Sequence, residues 1–126
     1  MDDLREIAKF LSARHSGILV DPDPIGDDEG PISIIISKEI ERYAIFYPGF
    51  GKTVRIIANE YTFDDVPIPV AGSLVDNLLS KRANIKVTGR IVRWAWLSTR
   101  IGDEIWEVSR RLKGSLSVWE SEINRG

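Results

Sequence analysis

Cysteine is absent from this sequence, and histidine occurs once. Without cysteine there are no disulfide bonds and no thiolate chemistry, and the chain fits a reducing, cytoplasmic compartment. One histidine leaves too few ligands for a zinc site of the usual kind. Apolar runs fall well short of the roughly 18 residues of a membrane span, and the acidic N-terminus is unlike a secretory signal. These absences predict a soluble chain without metal, cofactor or membrane association.

The 126 residues predict one globular domain, 1–126, with a composition that is ordinary for a soluble protein. The net charge is only −2, but its distribution is uneven. Residues 1–65 contain seven Lys and Arg against thirteen Asp and Glu, whereas residues 66–126 contain ten against six. An asymmetry of this kind concerns the choice and steering of partners rather than the fold.

The N-terminal stretch DDLREIAKFLSARHSG (2–17) predicts a helix, because Leu4, Ile7, Ala8 and Leu11 recur on one helical face. Segments rich in β-branched and aromatic residues then predict strands at 18–20, 32–37, 42–47 and 53–63. Prolines and acidic residues interrupt this pattern, which indicates irregular structure at 21–31 and 64–72.

A second helix is predicted at 73–83, where Ser73 and Asp76 suit a helix start. Residues 84–98 predict a strand that bends at Gly89. The remaining segment fits a long helix or strands, and its period-2 alternation favours strands with hairpin turns at 102–103 and 113–114. The predicted fold class is α+β, with an antiparallel sheet of about six strands and both helices packed on one face.

The letters GKT at 51–53 raise the question of a phosphate-binding loop. Such a loop requires a glycine five residues before Gly51, where this chain has Phe46, and a helix after the lysine. Lys52 is instead followed by a strand-like segment. The stretch PGFG therefore predicts a hairpin turn between strands around Tyr47 and Val54, not a nucleotide site.

Groups that support catalysis are scarce. His15 lies in the last turn of the first helix, where a cationic side chain interacts favourably with the helix dipole. The acidic stretch DPDPIGDDEG (21–30) lacks the residue order of a calcium-binding EF-hand loop. No carboxylate pair stands out as a hydrolase pair. We therefore expect a protein that is not an enzyme.

The C-terminal part offers a nucleic-acid surface as one alternative, since RIVRWAW (90–96) with Arg100, Arg110 and Arg111 combines guanidinium groups and indole rings. On a strand, however, Val92, Trp94 and Trp96 share a face, which predicts that they belong to the core. The pI of 5.4 is also far from a basic footprint. A nucleic-acid-binding or regulatory protein-interaction module thus remains the alternative function.

The acidic loop offers a different surface. Residues 21–31 contain five acidic side chains and no basic one, and Asp64 and Asp65 lie in another irregular stretch. Three prolines stiffen the loop, which lowers the entropy lost on docking. A rigid acidic surface is suited to the fast, steered capture of a basic protein.

In size, acidity, lack of cysteine and lack of catalytic groups, the chain resembles the immunity proteins of bacterial polymorphic-toxin and contact-dependent-inhibition systems. The resemblance covers the whole chain, from DDLREIAKFLSARHSG to DEIWEVSRRLKGSLSVWESE (103–122), and rests on no diagnostic motif. It implies a cytoplasmic toxin inhibitor that binds one cognate toxin domain and covers its active site or an essential surface. Exposure and charge predict the contact residues Asp23, Asp27, Asp28, Glu29, Phe50, Asp64 and Asp65.

Overall fold

Period-2 apolar segments and one amphipathic N-terminal segment set the secondary structure of this chain. The computed structural model describes residues 2–22 and 32–125, and these residues form three helices and eight strands. The elements in chain order are α1 (Asp2–Arg14), β1 (Leu19–Pro22), β2 (Ile32–Lys38), β3 (Glu41–Tyr47), β4 (Thr53–Ala58), β5 (Tyr61–Pro67), α2 (Ile68–Leu79), β6 (Asn84–Thr88), β7 (Arg93–Ile101), β8 (Glu104–Leu112) and α3 (Val118–Arg125).

The strands form two antiparallel sheets, each a simple meander. The first sheet has the order β1-β2-β3-β4-β5, and the second has the order β6-β7-β8. The predicted α+β class is confirmed, with helices packed against both sheets. In place of one sheet of about six strands there are two sheets with eight strands in the described residues. The number of strands is larger because two segments that each predicted a single strand fold as hairpins.

The first of these segments is 53–63. It reverses at Asn59 and Glu60, between β4 and β5. Asn59 adopts a left-handed conformation with φ of 51°, which asparagine tolerates better than most residues. Its backbone N–H donates to the carbonyl oxygen of Arg42 at 3.0 Å, and its side-chain oxygen accepts from the Arg42 N–H at 3.1 Å. These two bonds to β3 hold the turn against its neighbouring strand.

The second segment is 84–98, where the predicted bend at Gly89 is a complete reversal between β6 and β7. Gly89 has φ of 96°, and a Cβ added there would lie 2.0 Å from the carbonyl oxygen of Val92. Only glycine fits this turn. The next hairpin, predicted at 102–103, is confirmed between β7 and β8.

One hydrophobic core joins the two sheets and the three helices. Alternate residues of β2 to β5, such as Ile36, Ile45 and Ile56, are fully buried on the inner face of the first sheet. Helices α1 and α2 cover this face and pack against each other, and α2 also contacts β7 of the second sheet. Helix α2 thus lies between the sheets and fixes their relative position.

The boundaries of α2 differ from the prediction. The helix begins at Ile68, directly after β5, with Pro67 at its N-cap position and a second proline within the first turn. Proline suits the first turn of a helix because the N–H groups there have no partner within the helix. Asp76 therefore lies near the end of α2 rather than at its start. Lys81, with φ of 59°, follows the C-cap residue Ser80.

The strand predicted near residue 118 is wrong, since Val118–Arg125 forms α3. The cause is a reciprocal cap: the backbone N–H of Glu120 donates to Ser117 Oγ at 3.2 Å, and the N–H of Ser117 donates to Glu120 Oε1 at 2.8 Å. This capping box starts the helix. Asn124 then docks α3 on the edge strand β6 through two bonds to the backbone of Ile85. None of the helices in the described ranges is long and apolar enough to cross a membrane.

Candidate partner-binding surfaces

Three buried carboxylates lie at the junctions between elements, and each is held by several partners. Glu120 of α3 is fully buried and accepts hydrogen bonds from the hydroxyl of Tyr61 in β5 and from Arg110 in β8, whose Nε lies 3.0 Å away. The Arg110 guanidinium also lies over the Tyr61 ring, with its carbon 5.9 Å from the ring centroid. This cluster joins the two sheets to α3.

Glu41 of β3 forms the second junction. Its Oε1 accepts from the Tyr43 hydroxyl at 2.7 Å and from the Trp119 indole N–H at 3.3 Å, and it lies 2.6 Å from Nζ of Lys81. The ring of Trp119 packs between those of Tyr43 and Tyr61, with centroids 6.4 and 6.1 Å away. The Glu41 and Glu120 clusters are therefore connected through one aromatic stack.

Asp76 of α2 forms the third junction. Its Oδ1 lies 2.6 Å from His15 Nε2 and accepts from Arg14 Nε at 3.1 Å, while its Oδ2 accepts from Arg82 at 2.8 Å. The predicted role of His15 at the end of the first helix is thus a specific one, since His15 and Arg14 tie the end of α1 to α2. The sequence does not indicate this partner, because Asp76 is 61 residues away from His15.

Hydrogen bonds and nearby charges keep the pKa values of Glu120 and Asp76 low in spite of burial. Burial raises the pKa of Glu120, but the hydrogen bonds from Arg110, Ser117 and Tyr61 outweigh it and hold the pKa below its usual value. Burial likewise raises the pKa of Asp76, and the contacts with His15 and Arg14 together with the charge of Arg82 more than offset it. Ionised and saturated with donors, both groups stabilise the fold.

The aromatic partners respond in the opposite sense. Burial and the hydrogen bond to Glu120 raise the pKa of Tyr61, and burial together with the charge of Glu41 raises the pKa of Tyr43. Both hydroxyls therefore stay protonated donors. Within the described residues, no group of three or more histidine, aspartate or glutamate side chains is arranged to hold a metal ion.

The predicted contact residues fall into two groups. Asp23, Asp27, Asp28 and Glu29 lie outside the described residues. Phe50 lies in the turn between β3 and β4, as predicted, and 76% of its surface is exposed. The Tyr47 hydroxyl donates to the Gly51 carbonyl oxygen at 3.3 Å, and the Ile68 N–H donates to the Lys52 carbonyl oxygen at 3.1 Å, so both sides of the turn are held.

Asp64 and Asp65 do not lie in an irregular stretch, contrary to the prediction. Both belong to β5 and form a β-bulge, two residues that together face Arg55 of β4. Asp65 takes the left-handed conformation with φ of 54°. Asp64 accepts from Arg55 Nε at 2.6 Å, and both side chains of this pair are more than half exposed. The pair is therefore a surface feature that remains accessible.

The sheet topology brings these features to one end of the first sheet. Pro22 ends β1 and Ile32 begins β2, and the register pairs Ile32 with Tyr47, the last residue before the Phe50 turn. The strand ends at Pro22 and Ile32 therefore lie at the same end of the sheet as this turn. We call the Phe50 turn (48–52), the bulge at Asp64 and Asp65, and the start of α2 the loop end of the first sheet.

A groove of about 300 Å³ between α1 and α2 lies next to the loop end. Its floor is apolar, and the close approach of Phe10 to α2 is possible because Gly72 has no side chain: a Cβ there would lie 3.3 Å from Phe10 Cδ2. Carboxylates border the groove. The lining residues are Asp3, Glu6, Ile7, Phe10, Ile68, Pro69, Gly72 and Ser73. The sequence did not indicate this groove, since it depends on how two distant helices pack.

The second sheet carries a surface that the sequence reading assigned to the core. The alternation along β7 has the opposite phase: Ala95, Leu97 and Thr99 are buried, whereas Trp94 is 40% exposed and Trp96 is partly exposed. The prediction that Val92, Trp94 and Trp96 fill the core is therefore wrong.

The contacts of Thr99 show that α2 packs on the inner face of β7. The Thr99 hydroxyl accepts from the side chain of Asn77 in α2 at 3.0 Å and donates to the Arg82 carbonyl oxygen at 2.7 Å, so α2 lies close over this face of β7. The alternation of polar and apolar residues along β7 is compatible with either phase.

Comparisons with protein-family models, with curated protein sequences and with solved structures find no match for this chain.

Proposed function

We propose that this chain is a non-catalytic binding protein of the immunity type. It neutralises a cognate bacterial toxin domain by covering the active site or an essential surface of that domain. The partner is a protein, and the mechanism is occlusion without turnover.

The interior supports a role without chemistry. The three buried carboxylates each bind a cation and further donors, so their charge is already neutralised within the fold. Catalysis by general acid or base requires a group that can exchange its proton with substrate. Asp76 and Glu120 have lowered pKa values, and Glu41 is held by Tyr43, Trp119 and Lys81. This arrangement favours a rigid scaffold.

The exposure of Phe50 on its turn is the main observation in support of this proposal. A large apolar side chain with three quarters of its surface exposed, on a turn that is hydrogen-bonded on both sides, is preorganised for burial against a partner. Aromatic anchors of this kind dominate the energy of many protein interfaces. Burial of Phe50 in a pocket of the toxin is expected to give the largest single contribution to affinity.

Acidic groups at the loop end and along the adjacent groove support a basic partner. Asp64 and Asp65 lie in the bulge, and Asp3 and Glu6 border the adjacent groove. Pro22 and Ile32, the residues that flank the acidic stretch in sequence, lie at the same end of the first sheet. Complementary charge accelerates association and suppresses wrong partners. A toxin that acts on nucleic acid carries a basic cleft, and the acidic loop end fits such a cleft by competing with the phosphate backbone.

The test is co-expression with the C-terminal domains of secreted proteins that are encoded beside the gene of this chain. We expect one such domain to stop growth when expressed alone, and to be tolerated and recovered in a one-to-one complex when this chain is present. Phe50→Ala should weaken that complex about thirtyfold, as a hot-spot residue worth about 2 kcal/mol requires. Ile105→Ala, which removes a similarly exposed side chain from the second sheet, is the matched control.

Charge reversal tests the acidic side of the surface. Reversal of Asp27, Asp28 and Glu29 to lysine should slow association and flatten its salt dependence. The same reversal at Asp103, Glu104 and Glu107, all exposed on the second sheet, changes the net charge equally and should leave association nearly unchanged. Equal effects of the two triple variants, or protection by neither the wild type nor any variant, would contradict the proposal.

A further inference from the structure

The outer face of the second sheet is open to solvent, and its side chains are aromatic and basic. The side chains of this face include Lys86 and Thr88 from β6, Trp94 and Trp96 from β7, and Arg111 from β8. We call this surface the open face. It lies on the opposite side of the second sheet from the core residues Ile85, Ala95 and Leu97.

Strand register places the two indoles at the centre of the open face and the cations beside them. Trp96 pairs with Lys86 on one side, and Trp94 pairs with Arg111 on the other. Residues two apart on a strand are separated by roughly 7 Å and share a face. The indole N–H of Trp96 donates to the hydroxyl of Thr88 at 2.8 Å, which fixes the orientation of this ring before any ligand binds.

The charge of the open face is positive although the whole chain is acidic. Lys86, Arg100 and Arg111 face outward with one acidic side chain, Glu107, among them. Across the described parts of the chain, no carboxylate forms an ion pair with Lys86 or Arg111. These two cations are therefore available to an anionic ligand.

We propose that the open face binds single-stranded nucleic acid. Bases stack on Trp94 and Trp96, and the phosphates between them pair with Lys86 and Arg111. Stacking on exposed aromatic rings of a sheet, combined with cations along the backbone path, is the general mode by which proteins bind unpaired strands. A duplex fits less well because its bases already stack on one another and are not available to the indoles.

Other kinds of ligand fit the side chains of the open face less well. A second copy of the chain that docks face to face would bring Lys86 and Arg111 against their own equivalents, and like charges repel. An acidic protein segment would satisfy the cations but would leave the aromatic rings without flat partners. The combination of an exposed indole at Trp94, a partly exposed indole at Trp96 and unpaired cations favours a ligand that carries both π-faces and negative charge.

The experiment is fluorescence anisotropy with labelled oligo(dT) and oligo(rU) of about 12 nucleotides, a length within the usual site size of such surfaces. We expect saturable binding at low salt that weakens as salt is raised. Trp94→Ala should raise the dissociation constant about fivefold to a hundredfold, the range measured for loss of one stacking partner. Trp94→Phe keeps an aromatic ring and should restore most of the affinity.

Controls come from the outer face of the first sheet. Phe46 is 40% exposed, as Trp94 is, so Phe46→Ala removes an equally exposed ring and should leave binding unchanged. Lys86→Ala and Arg111→Ala should each lower the slope of log affinity against log salt by about 0.7, because each removes one phosphate contact to a single strand. Arg42→Ala, which removes an exposed arginine from the first sheet, should not change the slope.

Several results would overturn the inference. Absence of saturable binding by the wild type at low salt is one, and equal effects of Trp94→Ala and Phe46→Ala are another. Competition by polyglutamate that is as strong as competition by unlabelled oligonucleotide, together with no effect of Trp94→Ala, would assign the open face to an acidic protein. Thermal melting of each variant checks that it is folded, and the reduced salt slopes of Lys86→Ala and Arg111→Ala provide the test if Trp94→Ala does not fold.

Discussion

Replacement of Glu120 by glutamine tests whether the carboxylate at the junction of the two sheets stabilises the fold. Glu120 is fully buried and accepts from Tyr61, from Arg110 and from the Ser117 backbone. Glutamine has nearly the same shape and keeps one acceptor oxygen, but it carries no charge and turns an NH₂ group toward donors. Arg110, only 19% exposed, then retains a positive charge without its partner.

The magnitude follows from this geometry. Removal of one partner of a buried ion pair typically costs about 3–5 kcal/mol, because the other charge stays buried and unpaired. The remaining exposure of Arg110 and the remaining acceptor of glutamine place Glu120→Gln near the lower end, at about 3 kcal/mol. A domain of this size is stable by about 5–15 kcal/mol, so the variant should fold but unfold at clearly lower denaturant.

The assay is equilibrium unfolding in urea, followed by tryptophan fluorescence and by circular dichroism. Arg110→Met combined with Glu120→Gln removes the orphaned charge, and the double variant should regain at least about 1.5 kcal/mol relative to Glu120→Gln alone. Two results would refute the reasoning. One is a Glu120→Gln variant within about 0.5 kcal/mol of wild type, the range of an ordinary surface substitution. The other is a double variant whose loss equals the sum of the single losses.

Two further predictions concern other parts of the fold. Gly89→Ala should lose at least about 2 kcal/mol of stability, since the added Cβ would meet the Val92 carbonyl oxygen at 2.0 Å in a left-handed turn. Gly102→Ala is the control and should lose less, because nothing lies within 4 Å of its Cβ position. Similar losses for the two variants on urea unfolding would contradict this prediction. Asp76 has a lowered pKa, so its stabilisation is present above the ordinary value near 3.9 and is lost as pH falls through the lowered one. Asp76→Asn should therefore flatten the fall of melting temperature below about pH 5, and an unchanged slope would count against the ion cluster.

Local patterns predicted much of the secondary structure. The apolar stripe of α1 and the β-branched runs of β2 and β3 predict these elements nearly to the residue, because one face of each must be buried. The turn at Phe50 was also predicted, and so was the hairpin at Gly102. These features depend on residues close in sequence, and the local signal is sufficient for them.

The errors have physical causes that local patterns do not resolve. The turn at Asn59 and Glu60 lacks the glycine that marks most two-residue hairpins, and its stability comes from Arg42 on a neighbouring strand. The cap of α3, in contrast, is a local signal, because Ser117 and Glu120 have the spacing of a capping box. The period-2 alternation of SLSVWESE favours a strand over the same residues, which is why the prediction is wrong. Attention to the cap would have predicted this helix.

The phase of β7 could not be predicted from β7 alone. When both faces of a strand carry apolar side chains, the packing of neighbouring elements decides which face is buried. Here α2 lies close enough for Asn77 to donate a hydrogen bond to Thr99 on the inner face. The small side chain of Ala95 also lies on this inner face, which leaves Trp94 outside. The same packing therefore reverses the predicted phase of β7 and places Trp94 and Trp96 on the open face.

The loop end and the open face lie on different parts of the fold. Phe50 lies beside the start of α2, whereas Thr99 and the hairpin at Gly102 lie near its end, and the open face is on the far side of the second sheet from α2. The core between the two surfaces is held by Glu41, Asp76 and Glu120. Each of these carboxylates bonds a side chain that lies 59 or more residues away in the sequence. Substitutions at sites without shared partners act additively. Rigid junctions of this kind allow each sheet to present its own surface, so we expect a partner bound at the loop end to leave Trp94 and Trp96 accessible.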